Sequence, residues 1–459
     1  MKRTATLLSI GIFIGCCNAC SSDSDNYPVT EQNIQKATSS DVRLLPSAYV
    51  YNYLQLGDRF ISNSRSGNRV SIIDGHLGQE IRSWNAAGVR IAFPLPQSQF
   101  EGVALIYQDK IVIKSNSLER TLLLDKPYMH VSAAAQNIAF SFTSEDGKSV
   151  EVVRVLDDGQ WFHDTMEYSW AQYYPPDDPV LEFVPQLKDD GNYFAVFNPH
   201  FGVFTVFSIP TSYGGSFGQP YYWCSGNPAG TTDVALFSSF VWNDWEVSLT
   251  GRTFVGDRFG TLYTFMGEGD CAGAFENINF SYESPGGYTR IEHLLDTRPI
   301  IHIALYESPI TSGNALYDKY KLGLIQDDAD SMASLQILTT EANQITVENQ
   351  VNNICDQAIN SLRLDQTFVV VMCDSPDEDD IVLSNGIREP HEYVTLNMNT
   401  GEIINRYRVS SHSAGFSINQ STKTLYRVLD DVFGTLEKTN LMNGSTSITK
   451  GIFLRDVIQ

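Results

Sequence analysis

From about Ala48 onward the apolar residues come in short runs of four to eight positions, not in helical stripes. Arg59–Ser64, Arg69–Asp74, Val103–Tyr107, Lys110–Lys114, Ile138–Phe142 and Val150–Val155 are rich in Val, Ile, Phe and Tyr. Tyr193–Phe197, Val203–Ile209, Arg252–Gly256, Thr261–Met266, Ile300–Tyr306 and Thr367–Met372 continue the pattern, followed by Tyr393–Leu396, Thr424–Val428 and Thr435–Thr439. Gly, Asn, Asp and Pro separate the runs. Short β-rich runs at this spacing predict an all-β chain: a sandwich, a barrel or a propeller.

Internal repetition decides among these. Phe201-Gly202-Val203-Phe204-Thr205-Val206-Phe207 matches Phe259-Gly260-Thr261-Leu262-Tyr263-Thr264-Phe265 at an offset of 58. Asp257-Arg258-Phe259-Gly260-Thr261-Leu262 matches Asp431-Val432-Phe433-Gly434-Thr435-Leu436 at 174, three times that offset. Arg59, Arg65 and Gly67 align with Arg252, Arg258 and Gly260. A second element is Ile73-Asp74 with Gly78, repeated as Leu396-Asn397 with Gly401 and as Thr439-Asn440 with Gly444. An apolar residue, Asp or Asn, then Gly four positions on reads as strand, turn, strand, with Gly supplying the positive φ. Eight such groups fit between about 48 and 455, roughly 51 residues each, the size of a propeller blade. The expectation is a β-propeller of eight four-stranded blades over residues 45–459. Seven blades is the alternative, because the groups at 289–340 and 353–409 carry insertions.

The turn and the hairpin Gly256-Asp257-Arg258-Phe259-Gly260-Thr261-Leu262-Tyr263 resemble the quinoprotein-like propeller repeat. The resemblance is clear in three or four groups, and Trp84 is the nearest match to the Trp that usually closes the motif. The quinone-dependent dehydrogenases of that family carry adjacent cysteines beneath the cofactor. Here the adjacent pair is Cys16-Cys17, in the leader, so no quinone or other cofactor is read.

The N-terminus changes the picture. Met1-Lys2-Arg3, an apolar stretch from Ala5 to Gly15, and Cys16, Cys17 and Cys20 form a short secretory leader. The apolar stretch is too short to span a bilayer. It resembles the leader of bacterial lipoproteins, which is cut before a Cys that is then acylated. Residues 1–19 are then the signal peptide, Cys20 the lipidated residue and 20–44 a polar tether. Phe13-Ile14-Gly15-Cys16 is the rival cleavage site. Ser21 after the Cys implies, by that resemblance, anchoring at the outer membrane on the periplasmic side. Location and repeat type together are similar to the propeller lipoproteins of the outer-membrane β-barrel assembly machinery. That resemblance implies a scaffold that binds an envelope protein partner without catalysis.

Composition narrows the partners. The 459 residues carry a formal charge of −23, which opposes nucleic acid and anionic lipid surfaces. Apolar content of 42% with 12% aromatic residues excludes disorder. Four cysteines remain after the leader, an even number in an exported chain. Of three connectivities, Cys224–Cys271 with Cys355–Cys373 joins neighbouring strand groups and is favoured.

Several chemical motifs fail on context. Gly214-Gly215-Ser216-Phe217-Gly218 lies between Pro210 and Pro220, without the strand and helix that a nucleophile elbow needs. Gly267-Glu268-Gly269-Asp270-Cys271-Ala272 has no βαβ unit around it. Val155-Leu156-Asp157-Asp158-Gly159-Gln160-Trp161-Phe162 approaches a sialidase-type Asp box, with Val where Ser or Thr is expected. Acid clusters at Asp327-Asp328-Asp330 and Asp374-Asp377-Asp379-Asp380 lack EF-hand spacing and read as solvated loops. His293 and His302 read as core residues. No metal site and no catalytic residue emerge. The remaining candidate is aromatic: Trp161, Trp170, Tyr173, Tyr174, Trp223, Trp242 and Trp245 form a patch suited to a protein interface or to stacking on carbohydrate. Interior packing between strand groups would account for the same residues.

Overall fold

The computed structural model describes most of residues 55–125 and 298–452 and, from 128 to 294, chiefly the strands. All of these belong to one unit, Leu45–Gln459. Among the described residues there is no helix, and strands follow one another in eight sheets.

Sheets form from strands consecutive in sequence. The first is Arg59–Asn63, Arg69–Asp74 and Gln79–Asn85. The second runs from Ile91–Pro94 through Gly102–Ile106 and Lys110–Ser115 to Glu119–Leu123. The third is Tyr128–Ala134, Ala139–Ser144, Ser149–Val155 and Trp161–Glu167. The fourth contains Val184–Leu187, Tyr193–Asn198, Val203–Ser208 and Tyr222–Cys224, with Gly269–Asp270 added in parallel. The fifth is Trp242–Val247, Thr253–Asp257, Thr261–Phe265 and Ile291–Leu294. The sixth runs Ile300–Glu307, Tyr320–Asp328, Ser331–Glu341 and Gln344–Val351. The seventh is Gln357–Arg363, Phe368–Asp374, Glu392–Asn397 and Ile403–Arg408. The eighth is Ser413–Asn419, Thr424–Leu429, Leu436–Asn440 and Thr446–Thr449.

Two sheets depart from the expected four strands. The fourth has five. The first has three, and a side chain stands where a further strand would pair: the Ile61 N–H donates to Gln55 Oε1 at 2.5 Å, and Gln55 Nε2 donates to the Ile61 carbonyl at 3.3 Å. A primary amide offers the same donor and acceptor as a peptide unit, so neither buried Ile61 group is left unpaired.

Burial explains the hydrophobic runs. Gly102–Ile106 and Ser413–Asn419 are buried at every position, and Phe368–Asp374 at all but its first. Such strands are covered on both faces and need no alternation. The fourth strands face water: Thr446–Thr449 is exposed throughout and Glu119–Leu123 nearly so. Cores form between successive sheets. Tyr306, Ile325 and Leu335 of the sixth pack with Ala358, Val369 and Val394 of the seventh. Phe60 and Ile73 of the first pack with Tyr426, Val428 and Leu436 of the eighth. Cys355 and Cys373, both buried, form a disulfide.

One turn recurs with constant geometry. The second strand of the first sheet ends in Asp74, and the third strands of the seventh and eighth end in Asn397 and Asn440. Their carbonyls accept from the N–H groups of Gly78, Gly401 and Gly444 at 2.8 Å in each case. The three glycines sit at φ 72°, 73° and 70°. The Asp or Asn side chain caps the intervening N–H groups, as in Leu77 N to Asp74 Oδ1 at 2.8 Å. Each turn leans on the fourth strand of the preceding sheet. Gly401 faces Asn349 of the sixth, and Gly444 faces Asn405 of the seventh. Gly78 of the first faces Thr449 of the eighth. The last sheet therefore meets the first through the contact that joins sixth to seventh and seventh to eighth.

The first residue of each acid cluster differs from the solvated loop expected. Asp327 is a buried strand residue whose Oδ2 accepts from the Ala358 N–H at 3.2 Å. Asp374 is buried at a strand end and lies 2.8 Å from His391 Nδ1. Each sits where a two-face-covered strand leaves the core, so burial and pairing replace solvation. Asp330, Asp377, Asp379 and Asp380 lie outside the described residues, and the side chain of Asp328 is not among those described.

Candidate binding face

The turns from first to second strand in the seventh and eighth sheets build a polar surface. In the seventh, Asp365 Oδ1 accepts from the N–H groups of Thr367 at 2.7 Å and Phe368 at 2.9 Å. In the eighth, Asn419 Oδ1 accepts from the Thr422 N–H at 3.0 Å and from Ser421 Oγ at 2.7 Å. Short Asp and Asn side chains close such turns on their own backbone.

Side chains then tie four sheets together. Arg363 donates through Nη1 to the Tyr306 carbonyl at 2.5 Å, pairs with Glu307 at 2.8 Å and donates through Nε to the Asp365 carbonyl at 2.8 Å. Lys423 Nζ lies 2.5 Å from Asp365 Oδ2 and 5.5 Å over the Phe368 ring. Gln420 Nε2 donates to the Arg363 carbonyl at 2.7 Å. Asn419 Nδ2 and the Tyr426 hydroxyl both donate to Asp58 Oδ1, at 2.7 and 2.8 Å. A polar belt thus runs from Glu307 of the sixth sheet to Asp58 beside the first. Burial opposes ionisation of Asp365, but its bonds from Lys423, Thr367 and Phe368 outweigh that and hold its carboxyl below the usual value. Burial, then the bond to Asp58, raises the Tyr426 hydroxyl well above its ordinary value.

Two clefts flank this belt and share Gln420 and Ser421. One, of about 780 Å³, lies toward the first sheet and includes Asp58, Arg59, His76 and the exposed Leu77. The other, of about 550 Å³, lies toward the sixth and includes His302, Asn360, Ser361 and Gln366. Its floor is set by Tyr306, whose ring occupies the space beside Gly323 and whose hydroxyl donates to Ser361 Oγ at 2.9 Å. Both clefts offer amides, hydroxyls and charges of either sign, and the first adds apolar Leu56 and Leu77 at one edge. Such a lining can exchange hydrogen bonds with polar main-chain groups and hydroxyls.

These are not the residues the sequence singled out. The structure distributes the aromatic candidates over three sheets: Trp161 on the fourth strand of the third, Trp223 in the fourth sheet, and Trp242 and Trp245 on the first strand of the fifth. Trp170, Tyr173 and Tyr174 lie outside the described residues, as do Cys16, Cys20 and Cys271. Cys224 ends the strand Tyr222–Cys224, and its side chain is not among those described. A readable signal for the belt did exist: Asp365-Gln366-Thr367 and Asn419-Gln420-Ser421 place Asp or Asn before a polar pair at the same point of two repeats.

No family model matches the chain, and no curated protein matches it. Among solved structures it is similar to the dihydro-heme d1 dehydrogenase NirN in complex with DHE, with a TM-score of 0.52 and 9% identity over 87% of this chain and 75% of that one. It is also similar to the WD40 domain of SCAP from fission yeast, at TM-score 0.46, 10% identity, and 87% and 94% coverage. AztD from Citrobacter koseri follows at 0.45, 12%, 86% and 94%. The likeness concerns fold alone. Sequential antiparallel sheets, six of the eight four-stranded, together with the likeness at TM-score 0.52, define an all-β protein of the β-propeller class.

Proposed function

We propose that the chain is a lipid-anchored scaffold of the bacterial cell envelope: a closed eight-bladed propeller that binds a protein partner on the polar belt between its sixth and first sheets. The observation that carries the binding reading is the pair of adjoining clefts meeting at Gln420 and Ser421, with exposed Leu77 at one edge. The amides and charges supply hydrogen-bonding groups of the kind an interface uses to fix its partner, and exposed Leu77 supplies apolar area beside them. The ring reading is supported by the Gly78–Thr449 contact, which repeats Gly401–Asn349 and Gly444–Asn405. Anchoring through Cys20 at the periplasmic side of the outer membrane rests on the leader alone. The amide and hydroxyl lining also suits carbohydrate, the competing ligand class.

Photo-crosslinking residues at Leu77 and Gln366, and at Leu123 of the second sheet as an exposed control that lines neither cleft, test this in cells. Leu77 and Gln366 are expected to capture the same envelope protein, and Leu123 not. A glycan array binding the purified protein, with no site-dependent crosslink, would replace the scaffold by the carbohydrate reading. Mass analysis of the mature N-terminus is expected to show an acylated Cys20.

A further inference from the structure

The second and third sheets meet at a side-chain cluster that neither the fold nor the binding face uses. Glu151 stands opposite Thr165 in the strand register, and His163 is two residues from Thr165, so Glu151 and His163 project on one face of adjacent antiparallel strands. Asp125 comes from the segment that leaves the second sheet after Glu119–Leu123. One oxygen each from Asp125 and Glu151 and one ring nitrogen of His163 lie within 4.8 Å of one another.

We propose that Asp125, Glu151 and His163 bind a first-row divalent metal ion, zinc by donor type, which clips the second sheet to the third.

Donor chemistry points to this class. One imidazole with two carboxylates suits zinc and its neighbours, whereas calcium and magnesium sites are built from oxygen alone. Zinc bonds to these donors span about 2.0–2.2 Å, so the three atoms need adjustments of roughly 1 Å or less to share an ion. Three protein ligands leave a position for water. A supporting shell is present. The Asp125 N–H reaches both Glu151 oxygens, at 3.2 and 3.1 Å, and Thr165 Oγ1 donates to Asp125 Oδ2 at 2.7 Å. Such bonds fix ligating carboxylates in orientation. Glu151 is buried and Asp125 exposed, which gives a rigid inner ligand and a route of entry.

The test uses the full chain, stripped with EDTA, incubated with one equivalent of zinc chloride and desalted. One zinc per chain should remain, with a raised Tm, in the presence of millimolar calcium and magnesium. His163→Gln and Asp125→Asn should each weaken zinc binding at least tenfold while leaving the unliganded circular dichroism unchanged. X-ray absorption on the zinc-loaded native chain should show one imidazole nitrogen among oxygen ligands, a readout that needs no variant. Failure to retain zinc, retention equal in both variants, or an all-oxygen shell would overturn the site in favour of a plain His163–Glu151 ion pair.

Discussion

Gly415 of the eighth sheet lies so close to Ile61 of the first that a methyl group on Gly415 would stand 2.2 Å from the Ile61 carbonyl oxygen. Backbone, not a flexible side chain, is the obstacle. Around this approach Ser417 Oγ lies 2.9 Å from the carbonyls of Gln55 and Gly57, and the Gly57 N–H reaches the Ile418 carbonyl at 2.9 Å. Gly415→Ala must push the two ends of the chain apart. Overpacking against an unyielding neighbour costs about 1–3 kcal/mol, and the upper end is expected here by urea denaturation. Gly57→Ala is the control: Gly57 has φ 95° and open space around it, so only the backbone cost of about 1 kcal/mol applies. Equal effects of the two substitutions would remove the close packing of first and last sheets as a source of stability.

Gly260 separates the second and third strands of the fifth sheet at φ 79°. A β-branched residue is strained there, at about 1–3 kcal/mol. Gly260→Val is expected to lower the denaturation midpoint by that amount, and Gly434→Val, at φ 58° in the matching turn of the eighth sheet, to do the same. Unchanged midpoints for both would break the alignment of Asp257–Leu262 with Asp431–Leu436.

How much of this was legible follows from burial. Val369–Met372 and Val103–Ile106 are covered on both faces and read as continuous apolar runs, so the sequence marks them as strands. Thr446–Thr449 and Glu119–Leu123 are exposed, so selection for an apolar face is absent and their composition resembles loop. The glycine turns were readable because positive φ restricts the residue type. The two turns of the belt carried a signal but its assembly did not, because Arg363 with Asp365, Lys423 and Asp58 come from three separate segments and only the third dimension brings them together. The cluster of Asp125, Glu151 and His163 escaped for the same reason: its members are spread over 38 positions with no motif spacing.

Arg427 is fully buried between Glu389 at 2.5 Å and Glu437 at 2.7 Å, and also donates to the Ser411 carbonyl. Removing the cation strands two buried carboxylates, a loss of about 3–5 kcal/mol. Arg427→Gln should therefore be strongly destabilised. Arg427→Lys should fall between, because one ammonium cannot match the planar fork that reaches three acceptors. Adding Glu389→Gln to Arg427→Gln should recover part of the loss, since one unpaired charge is gone. Absence of recovery would mean that shape, not charge, governs this core.

The pairing of Asp365 with Lys423 gives the belt a pH signature. Asp365 titrates below its ordinary value of 3.8, because its bonds from Lys423 and from the Thr367 and Phe368 N–H groups outweigh burial. A carboxyl with a depressed folded-state value stabilises the fold above the unfolded value and loses that contribution as pH falls through the folded one. Asp365→Asn is thus expected to be less stable than the native chain at pH 7, with the difference shrinking as pH falls below about 4 and being lost as the folded-state carboxyl protonates. The side chain is partly exposed, so the effect should be small and should weaken in 1 M salt. Thermal melts of native and Asp365→Asn chains across that range check it. A difference that persists unchanged at pH 2 would assign the role of Asp365 to its turn hydrogen bonds and not to its charge.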